Sequence, residues 1–424
     1  MPVTPNLKIP ERKIFKAETR VTLNTHGHMS GDLHGAPDGE TRLKHIAAVV
    51  AINYFVSGAL TLIIPLLLLE RKMNLAEVGA VLSVLPLVFL TARLLLAVVA
   101  DRFGWASMFT LVNWPSTFVS TLLYYTAASV PAFLLGKIVE GLKESSFWAV
   151  NRTAVFALAP DQRERRATWV NGVIWLATAV GSAFAGVSLA FWGFTFTMGI
   201  LLLACAVMGI PTMLLWRNAK RAGTNLTLKQ TSTMQYRRAR GRFFWLASLA
   251  LTLYSLSTYP LTTLLLPAFM ATQIGYDYIS IGVVYMLYNL CAALVTLKTL
   301  KHPTSDKRAF IQSAVGFSAS ALLAYAGFFF PALVMAVAAT RGLSIAFFEL
   351  IIVKATRDSA SVSFDIGLLH VPMRFAEFGS VLGAGVLAEA FGYTPLFIAS
   401  GLTFAAFSWL SLRITRMEQP ADCT

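Results

Sequence analysis

The chain alternates long apolar stretches with short polar breaks. Each apolar stretch holds about 20 residues or more, which is the length that an α-helix needs to cross a bilayer. The pattern predicts an all-α membrane protein with twelve transmembrane helices. The predicted spans are 46–69, 75–99, 105–127, 131–158, 167–191, 194–216, 243–271, 278–299, 309–330, 331–354, 364–390 and 393–413.

Polar segments divide the twelve predicted spans into two sets of six. The polar segment 1–44 has no hydrophobic periodicity, so we predict a disordered cytoplasmic tail there. A basic stretch at 217–242 is expected to be a cytoplasmic linker. The first six-helix bundle then occupies 45–216, the second occupies 243–413, and the carboxyl-terminal tail 414–424 follows.

Composition and charge agree with a membrane protein. Of the 424 residues, 56% are hydrophobic and 13% are charged, whereas soluble domains carry about 25% charged residues. The net charge of +14 follows one side of the predicted membrane, because the predicted outer loops contain just Arg71 and Lys72. This bias predicts a multi-pass protein of the cell (inner) membrane with both termini cytoplasmic. It explains the positive charge without a nucleic-acid partner.

The two halves of the sequence repeat one another at an offset of about 200 residues. Pro65 and Gly79 in the first half match Pro267 and Gly282 in the second. The other matches are Glu140-Gly141 with Arg341-Gly342, and Gly186, Gly193 and Thr195 with Gly385, Gly392 and Thr394. Such ordered matches indicate a duplicated six-helix unit. Parallel repeats with a site between them near the midplane are a transporter architecture.

Two motifs resemble the major facilitator superfamily, and the resemblance extends over all twelve spans. The stretch ARLLLAVVADRFG at 92–104 is similar to that family's loop between spans two and three, although Ala97 replaces the usual glycine. The motif matches at Asp101, Arg102 and Gly104. The resemblance implies two pseudo-symmetric six-helix bundles and a secondary transporter. It also implies that these residues, together with Arg93, form a cytoplasmic gate.

The fourth and fifth spans add to this resemblance but depart from the family pattern. LLGKIVEGL at 134–142 is similar to the span-four motif, with Lys137 in place of arginine. Residues 181–186 lack the proline of the span-five antiporter motif, so that signature does not support drug–proton antiport. Spans one, four, seven and ten line the cavity in this family. That makes Arg341 in span ten a substrate-binding candidate.

One face of the predicted fourth span carries charged and polar residues at spacings of three and four. This face holds Lys137, Glu140, Glu144, Trp148 and Asn151. A charge at the bilayer centre costs roughly 2.5–3.5 kcal/mol, so it is expected to face a watery cavity or a partner. Glu140 and Glu144 lie one turn apart, which favours a shared proton and makes both proton-coupling candidates. The alternative is structural pairing of Glu140 with Lys137 or Lys143.

Spans ten and eleven carry further buried charges. His370, Arg374 and Glu377 share one helical face by their spacing, and so do Arg341 and Glu349. Arg341 or Arg374 is expected to hold an anionic group. Glu349, His370 and Glu377 join the proton-coupling candidates. The alternatives are an Arg374–Glu377 pair that locks helix packing and a buried histidine with no relay function.

Polar and aromatic residues give a weaker indication of a cavity. Those with a hydroxyl or amide beside apolar neighbours are Asn53, Tyr54, Tyr254, Tyr259 and Tyr288. They suit a small amphipathic solute, and each is equally consistent with a hydrogen bond between helices. Gly379 and Gly383 form a pattern that predicts close helix packing. In the tail, His26, His28, Asp32 and His34 suggest a metal site, but disorder is the better interpretation, so no metal is predicted.

Together these features predict a secondary active transporter. Its substrate is expected to be a small polar or amphipathic organic solute, with an anionic group favoured, and movement is expected by proton-coupled alternating access. An exporter of lipophilic or cationic compounds is the first alternative, and a non-transporting receptor or scaffold is the second. We expect no enzymatic activity and no cofactor. The expected partners are the solute, protons and the lipid bilayer, and the protein is expected to be monomeric.

Overall fold

A computed structural model describes residues 39–158, 163–221, 240–299, 304–356 and 362–417. The tail residues His26, His28, Asp32 and His34 and most of the basic linker lie outside these ranges. The side chains of Asp101 and Arg102, in the predicted gate motif, also lie outside what is described. The fold class is as predicted, because every long element in the described part of the chain is helical.

Twelve long helices, α1 to α12, can be traced through the described residues. Their bounds are α1 Gly39–Glu70, α2 Leu75–Phe103, α3 105–126, α4 Val130–Leu158, α5 163–192, α6 194–221, α7 Arg242–Ile274, α8 Tyr278–Thr299, α9 Asp306–Leu322, α10 Phe330–Ala355, α11 Val362–Phe391 and α12 Thr394–Arg416. α1 begins inside the predicted tail, so residues 39–44 are helical instead of disordered. α6 likewise extends to Arg221, inside the predicted linker.

The surface of the described helices suits a bilayer. Seven helical stretches are long and apolar enough to cross a membrane, and one of them, Trp169–Lys220, includes most of α5 and α6. Large apolar side chains point outward, for example Leu203 at 65%, Phe191 at 69% and Trp409 at 56% exposure. Soluble monomers rarely expose so many large apolar groups. Lipid is the solvent that matches them.

Local sequence signals set several helix ends. The side chain of Asn74 accepts a hydrogen bond from the Glu77 N–H, and the Glu77 carboxylate accepts one from the Asn74 N–H, at 2.8 and 2.9 Å. This capping box begins α2. Gly193 has a φ of 71°, which separates α5 from α6. Within α7, a π-helical turn at Leu261–Leu265 displaces the polar residues that follow Pro260, and such turns are frequent at functional sites.

The two halves pack in the same way, which confirms the duplicated unit. In the first half α1 packs on α5, α2 on α4 and α3 on α6; in the second half α7 packs on α11, α8 on α10 and α9 on α12. The repeated glycines explain one of these pairs. A Cβ on Gly141 would lie 2.7 Å from Cβ of Val88, and one on Gly342 would lie 2.9 Å from Cβ of Val295. Each glycine therefore allows the same close helix approach.

The halves meet where α2 packs on α11 and α5 packs on α8. A Cβ on Gly79 would lie 3.1 Å from Cα of Gly385, and a Cβ on Gly186 would lie 2.7 Å from Cα of Gly282. The sequence repeat matches Gly79 with Gly282 and Gly186 with Gly385. The two crossings are therefore equivalent to each other. Both lie near the helix ends predicted to be extracellular. The two halves thus come into backbone contact at these helix ends.

The pattern of Gly379 and Gly383 does not mark a close crossing. A Cβ at either position would have no described atom within 4 Å outside its own helical neighbourhood. The prediction of close packing there was wrong. The spacing of two glycines identifies a smooth helix face, but it does not say whether another helix lies against it.

Candidate functional site

A cavity of about 410 Å³ lies between the two sets of helices. α1, α2, α4 and α5 line it from the first half, and α7, α10 and α11 line it from the second. Most of the predicted site residues contribute to its wall. They are Tyr54, Arg93, Lys137, Glu140, Glu144, Trp148, Tyr254, Tyr259, Glu349, His370, Arg374 and Glu377.

On the α4 side, Glu140 holds two partners. The Lys137 ammonium lies 2.8 Å from a carboxylate oxygen of Glu140, and the Tyr124 hydroxyl donates to the same oxygen at 2.6 Å. All three side chains are buried. The charge of Glu140 is therefore compensated within the first half of the molecule, as the structural-pairing alternative predicted.

Glu144 has a lysine of its own. Lys143 lies 2.9 Å from Glu144 and donates to the Ser57 hydroxyl of α1 at 2.6 Å. The Trp148 indole N–H donates to the other Glu144 oxygen at 3.2 Å. Lys143 thus neutralises Glu144 instead of the alternative partner Glu140. The two glutamates are held by separate cations, and this arrangement lessens the need for them to share a proton.

On the α11 side, Arg374 and Glu377 form an ion pair at 2.5 Å. Glu377 also accepts a hydrogen bond from the Ser255 hydroxyl of α7. The guanidinium carbon of Arg374 lies 3.9 Å from the centre of the Phe89 ring, which belongs to α2. Nε of Arg374 has no hydrogen-bond partner among the described residues. Arg374 therefore lines the cavity with one side-chain hydrogen bond, to Glu377, and with a buried Nε that has no partner among the described residues.

His370 lies one turn from Arg374 and also lines the cavity. Its Nδ1 is 2.6 Å from the Ile366 carbonyl oxygen, so the ring is fixed by its own helix. The Phe348 ring packs beside it, with 6.2 Å between the ring centres. Nδ1 is the donor in this contact, since a carbonyl oxygen accepts.

Arg341 lies outside the cavity wall, although it was a substrate-binding candidate. It is 1% exposed and donates to the hydroxyl and carbonyl oxygens of Ser257, each at 2.7 Å. It also donates to Thr258 and lies 4.6 Å from the centre of the Phe404 ring. These contacts tie α10 to α7 and α12. We therefore do not retain Arg341 in the candidate site.

Several other predicted residues pack between helices. Asn53 accepts a hydrogen bond from the Thr117 hydroxyl of α3 at 3.4 Å. Asn151 and Tyr288 are 3% exposed and do not line the cavity. Of the predicted gate residues, Arg93 is 5% exposed and lines the cavity, and Gly104 ends α2 with a φ of 80°.

The structure adds cavity residues that the sequence analysis missed. Asn171, Trp175 and Thr178 of α5 line the wall, and their spacing of four and three was a usable signal in an otherwise apolar span. Phe89 gave no such signal, because it lies in a run of apolar residues. Within the described part of the chain, no group of His, Cys, Asp or Glu side chains is arranged to hold a metal ion.

Comparison with known proteins identifies the family. The sequence profile of the Major Facilitator Superfamily matches residues 46–363. The chain belongs to the Major Facilitator Superfamily. Curated protein sequences give no match.

Solved transporters of the superfamily share the fold. The nucleoside transporter NupG is 13% identical, with a TM-score of 0.65 over 89% of this chain and 100% of that one. A bacterial homolog of the human lysosomal transporter Spinster, solved inward-facing and occupied, is 13% identical, with a TM-score of 0.65 over 90% and 99%. The human organic anion transporter MFSD10 is 13% identical, with a TM-score of 0.64 over 88% and 100%. At this identity the likeness establishes the fold.

Membership of the superfamily makes the protein an integral multi-pass membrane protein of transporter fold. The cavity lies between the two sets of six helices, where parallel-repeat transporters bind their substrates. Its charged residues occur mainly as ion pairs. Buried charges are costly in lipid unless they are paired or face water, and the ion pairs of this cavity meet that requirement.

Proposed function

We propose that this protein is a secondary active transporter that moves a small organic solute with an anionic group, coupled to protons. The observation that carries the proposal is the state of Arg374. Its side chain lines the cavity, with one hydrogen bond to Glu377 and with a buried Nε that has no partner among the described residues. Guanidinium groups bind carboxylates through two parallel N–H donors. An anion entering the cavity would supply the acceptors that Arg374 lacks.

The size and walls of the cavity support a small organic substrate. Ligand pockets usually measure about 300–1,000 Å³ and combine apolar walls with a few polar groups, and this cavity has about 410 Å³. Phe89, Trp148, Trp175 and Tyr259 supply aromatic surface. Solved proteins of the same fold are named as a nucleoside transporter and an organic anion transporter, which is compatible with a solute of this class.

Glu377 is the proton site in this proposal. Glu377 is 2% exposed, and its charge is compensated by Arg374. When a substrate anion binds Arg374, Glu377 shares its counter-charge with that anion in a buried setting, and this favours protonation. Substrate and proton therefore enter together. Glu140 and Glu144 retain their own lysines throughout.

Alternating access is supported by the closed outer side. The crossings of Gly79 with Gly385 and of Gly186 with Gly282 bring the halves into backbone contact there. The cavity, in contrast, reaches Arg93, Asn171 and Glu349, which lie toward the helix ends predicted to be cytoplasmic. Rocking of the two halves about the cavity would open the predicted outer side and close the predicted cytoplasmic side.

The test is a thermal-shift measurement on purified protein with acids and their neutral counterparts. The pairs are nicotinate with nicotinamide, p-aminohippurate with its amide, and glucuronate with glucose. A ligand at 100 times its Kd stabilises the folded protein by about 2.7 kcal/mol. We expect at least one acid to raise the melting temperature while its neutral counterpart does not. Arg374→Ala should remove the shift, whereas Arg413→Ala, on the surface of α12, should retain it.

Two results would overturn the proposal. One is that acids and their neutral counterparts raise the melting temperature equally, or that none of these compounds raises it. The other is an acid-induced shift that survives in Arg374→Ala. The cavity also contains four glutamates, so tetraphenylphosphonium belongs in the same panel. Stabilisation by this cation alone would favour an exporter of lipophilic cations instead.

A further inference from the structure

Phe89 and Arg374 meet across the boundary between the two halves of the molecule. Phe89 belongs to α2 and Arg374 to α11, and both line the cavity. The guanidinium carbon is 3.9 Å from the ring centre, and the ring is 2% exposed. A separation this short is that of a guanidinium lying over the ring face, and such contacts strengthen where water is excluded.

A guanidinium that lies on a ring is held by its face, and its N–H donors project from the edge. Phe89 therefore restrains Arg374 without using any of its donors. Glu377 takes one of them at 2.5 Å, and Nε has no partner among the described residues. The ring contact holds the guanidinium plane fixed at the cavity wall. That is the geometry that a carboxylate needs for bidentate binding.

Arg341 offers a comparison inside the same molecule. It too lies over a ring, at 4.6 Å from the centre of Phe404. Its two terminal nitrogens donate to Ser257 and Thr258, and its Nε, like that of Arg374, has no partner among the described residues. Arg341 does not line the cavity, and both of its terminal nitrogens have protein partners. Arg374 does line the cavity, so a ring contact that orients it can act on a bound ligand.

We infer that Phe89 is a positioning residue for anion binding: its ring face holds Arg374 so that the guanidinium edge meets the substrate's anionic group. The inference rests on the proposed function, since it assigns a residue to the same site. Without the ring, Arg374 can turn toward other acids of the cavity, such as Glu144. Affinity for anions then falls, while affinity for neutral ligands is unchanged.

The test lowers the electron density of the ring face, which weakens a cation–π contact, and leaves the shape of the ring nearly unchanged. Phenylalanine at 89 is replaced by its mono-, di- and trifluoro forms, and the Kd of nicotinate, p-aminohippurate and glucuronate is measured for each. We expect Kd to rise stepwise with fluorination, to a total of roughly 2- to 30-fold, the range of a cation–π contact. Phe89→Leu should show a loss of the same order, and Phe89→Trp should retain binding. Fluorination of Phe404, beside Arg341, is the matched control and should leave Kd unchanged.

The possible failures are distinguishable. If Arg374→Ala abolishes acid binding but Kd is flat across the fluorinated series, the positioning role of Phe89 is refuted and the proposed function stands. If the wild-type protein binds none of the acids, the positioning role of Phe89 and the proposed function are both refuted. If Phe89 only fills space, Phe89→Leu weakens acid binding, but Kd is the same for every fluorinated variant. That result also refutes the inference.

Discussion

The contact of Gly385 with α2 gives a quantitative prediction for the closed outer side. A Cβ on Gly385 would lie 2.4 Å from the Leu75 carbonyl oxygen, whereas ordinary contact begins at 3.4 Å. Gly385→Ala therefore requires α11 and α2 to separate by about 1 Å. Added methyl groups in packed sites typically cost about 1–3 kcal/mol. That cost falls on the state in which the outer side is closed, because opening it removes the contact.

Such a cost shifts the balance between closed and open outer sides by roughly 5- to 150-fold. The shift is measured through a cysteine placed at Thr61, a cavity-lining position on α1, in a chain whose own three cysteines are replaced. A membrane-impermeant maleimide is added from outside. We expect the Thr61→Cys labelling rate to rise when Gly385→Ala is added.

Gly383 provides the matched control on the same helix. A Cβ there would have no described atom within 4 Å outside its own helical neighbourhood, so Gly383→Ala should leave the labelling rate unchanged. Equal rates for the two alanine variants would refute the packing argument. If Gly385→Ala is not monodisperse, Gly282→Ala, which meets Gly186 at 2.7 Å, tests the same closure at the related crossing.

Three further predictions follow from the charged residues. Arg341→Met should lower the melting temperature, since each partner left unsatisfied costs about 1–3 kcal/mol, but discrimination between nicotinate and nicotinamide should be unchanged; altered discrimination would return Arg341 to the binding site. Glu377→Gln should abolish the pH dependence of uptake in proteoliposomes, and a retained pH profile would exclude Glu377 as the proton site. The double replacement of Glu140 and Glu144 by Gln should lower stability yet keep the pH dependence, and its loss would move the proton to this pair.

Much of the fold was predictable because apolar length is a strong constraint in lipid. Twelve stretches of sufficient length gave twelve helices, and the offset between matched glycines anticipated which helices pack alike. The matched Gly141 and Gly342 each proved to be contact points on the neighbouring helix. Helix ends were less predictable. α1 and α6 continue into polar sequence, because helical hydrogen bonds persist beyond the membrane core.

The helix faces that line the candidate site were predictable, but the direction in which each helix turns its other polar residues was not. Spacing placed Lys137, Glu140 and Glu144 on one face, and all three line the cavity. Periodicity could not reveal that Arg341 faces α7, because it relates residues within one helix and carries no information about the neighbours. For the same reason periodicity could not show that Lys143 pairs with Glu144 instead of Glu140, or that it also contacts Ser57 of another helix.

The most direct test of the account is uptake by purified protein in liposomes. Radiolabelled nicotinate, p-aminohippurate and glucuronate are offered at acidic external pH with an alkaline interior, beside empty liposomes and liposomes with Arg374→Ala. The account predicts that at least one acid accumulates above its external concentration in wild-type liposomes, that a protonophore abolishes this accumulation, and that Arg374→Ala matches the empty liposomes. Accumulation in none of them, or equal uptake by wild type and Arg374→Ala, would contradict the claim that this chain is a proton-coupled transporter with Arg374 as its anion site.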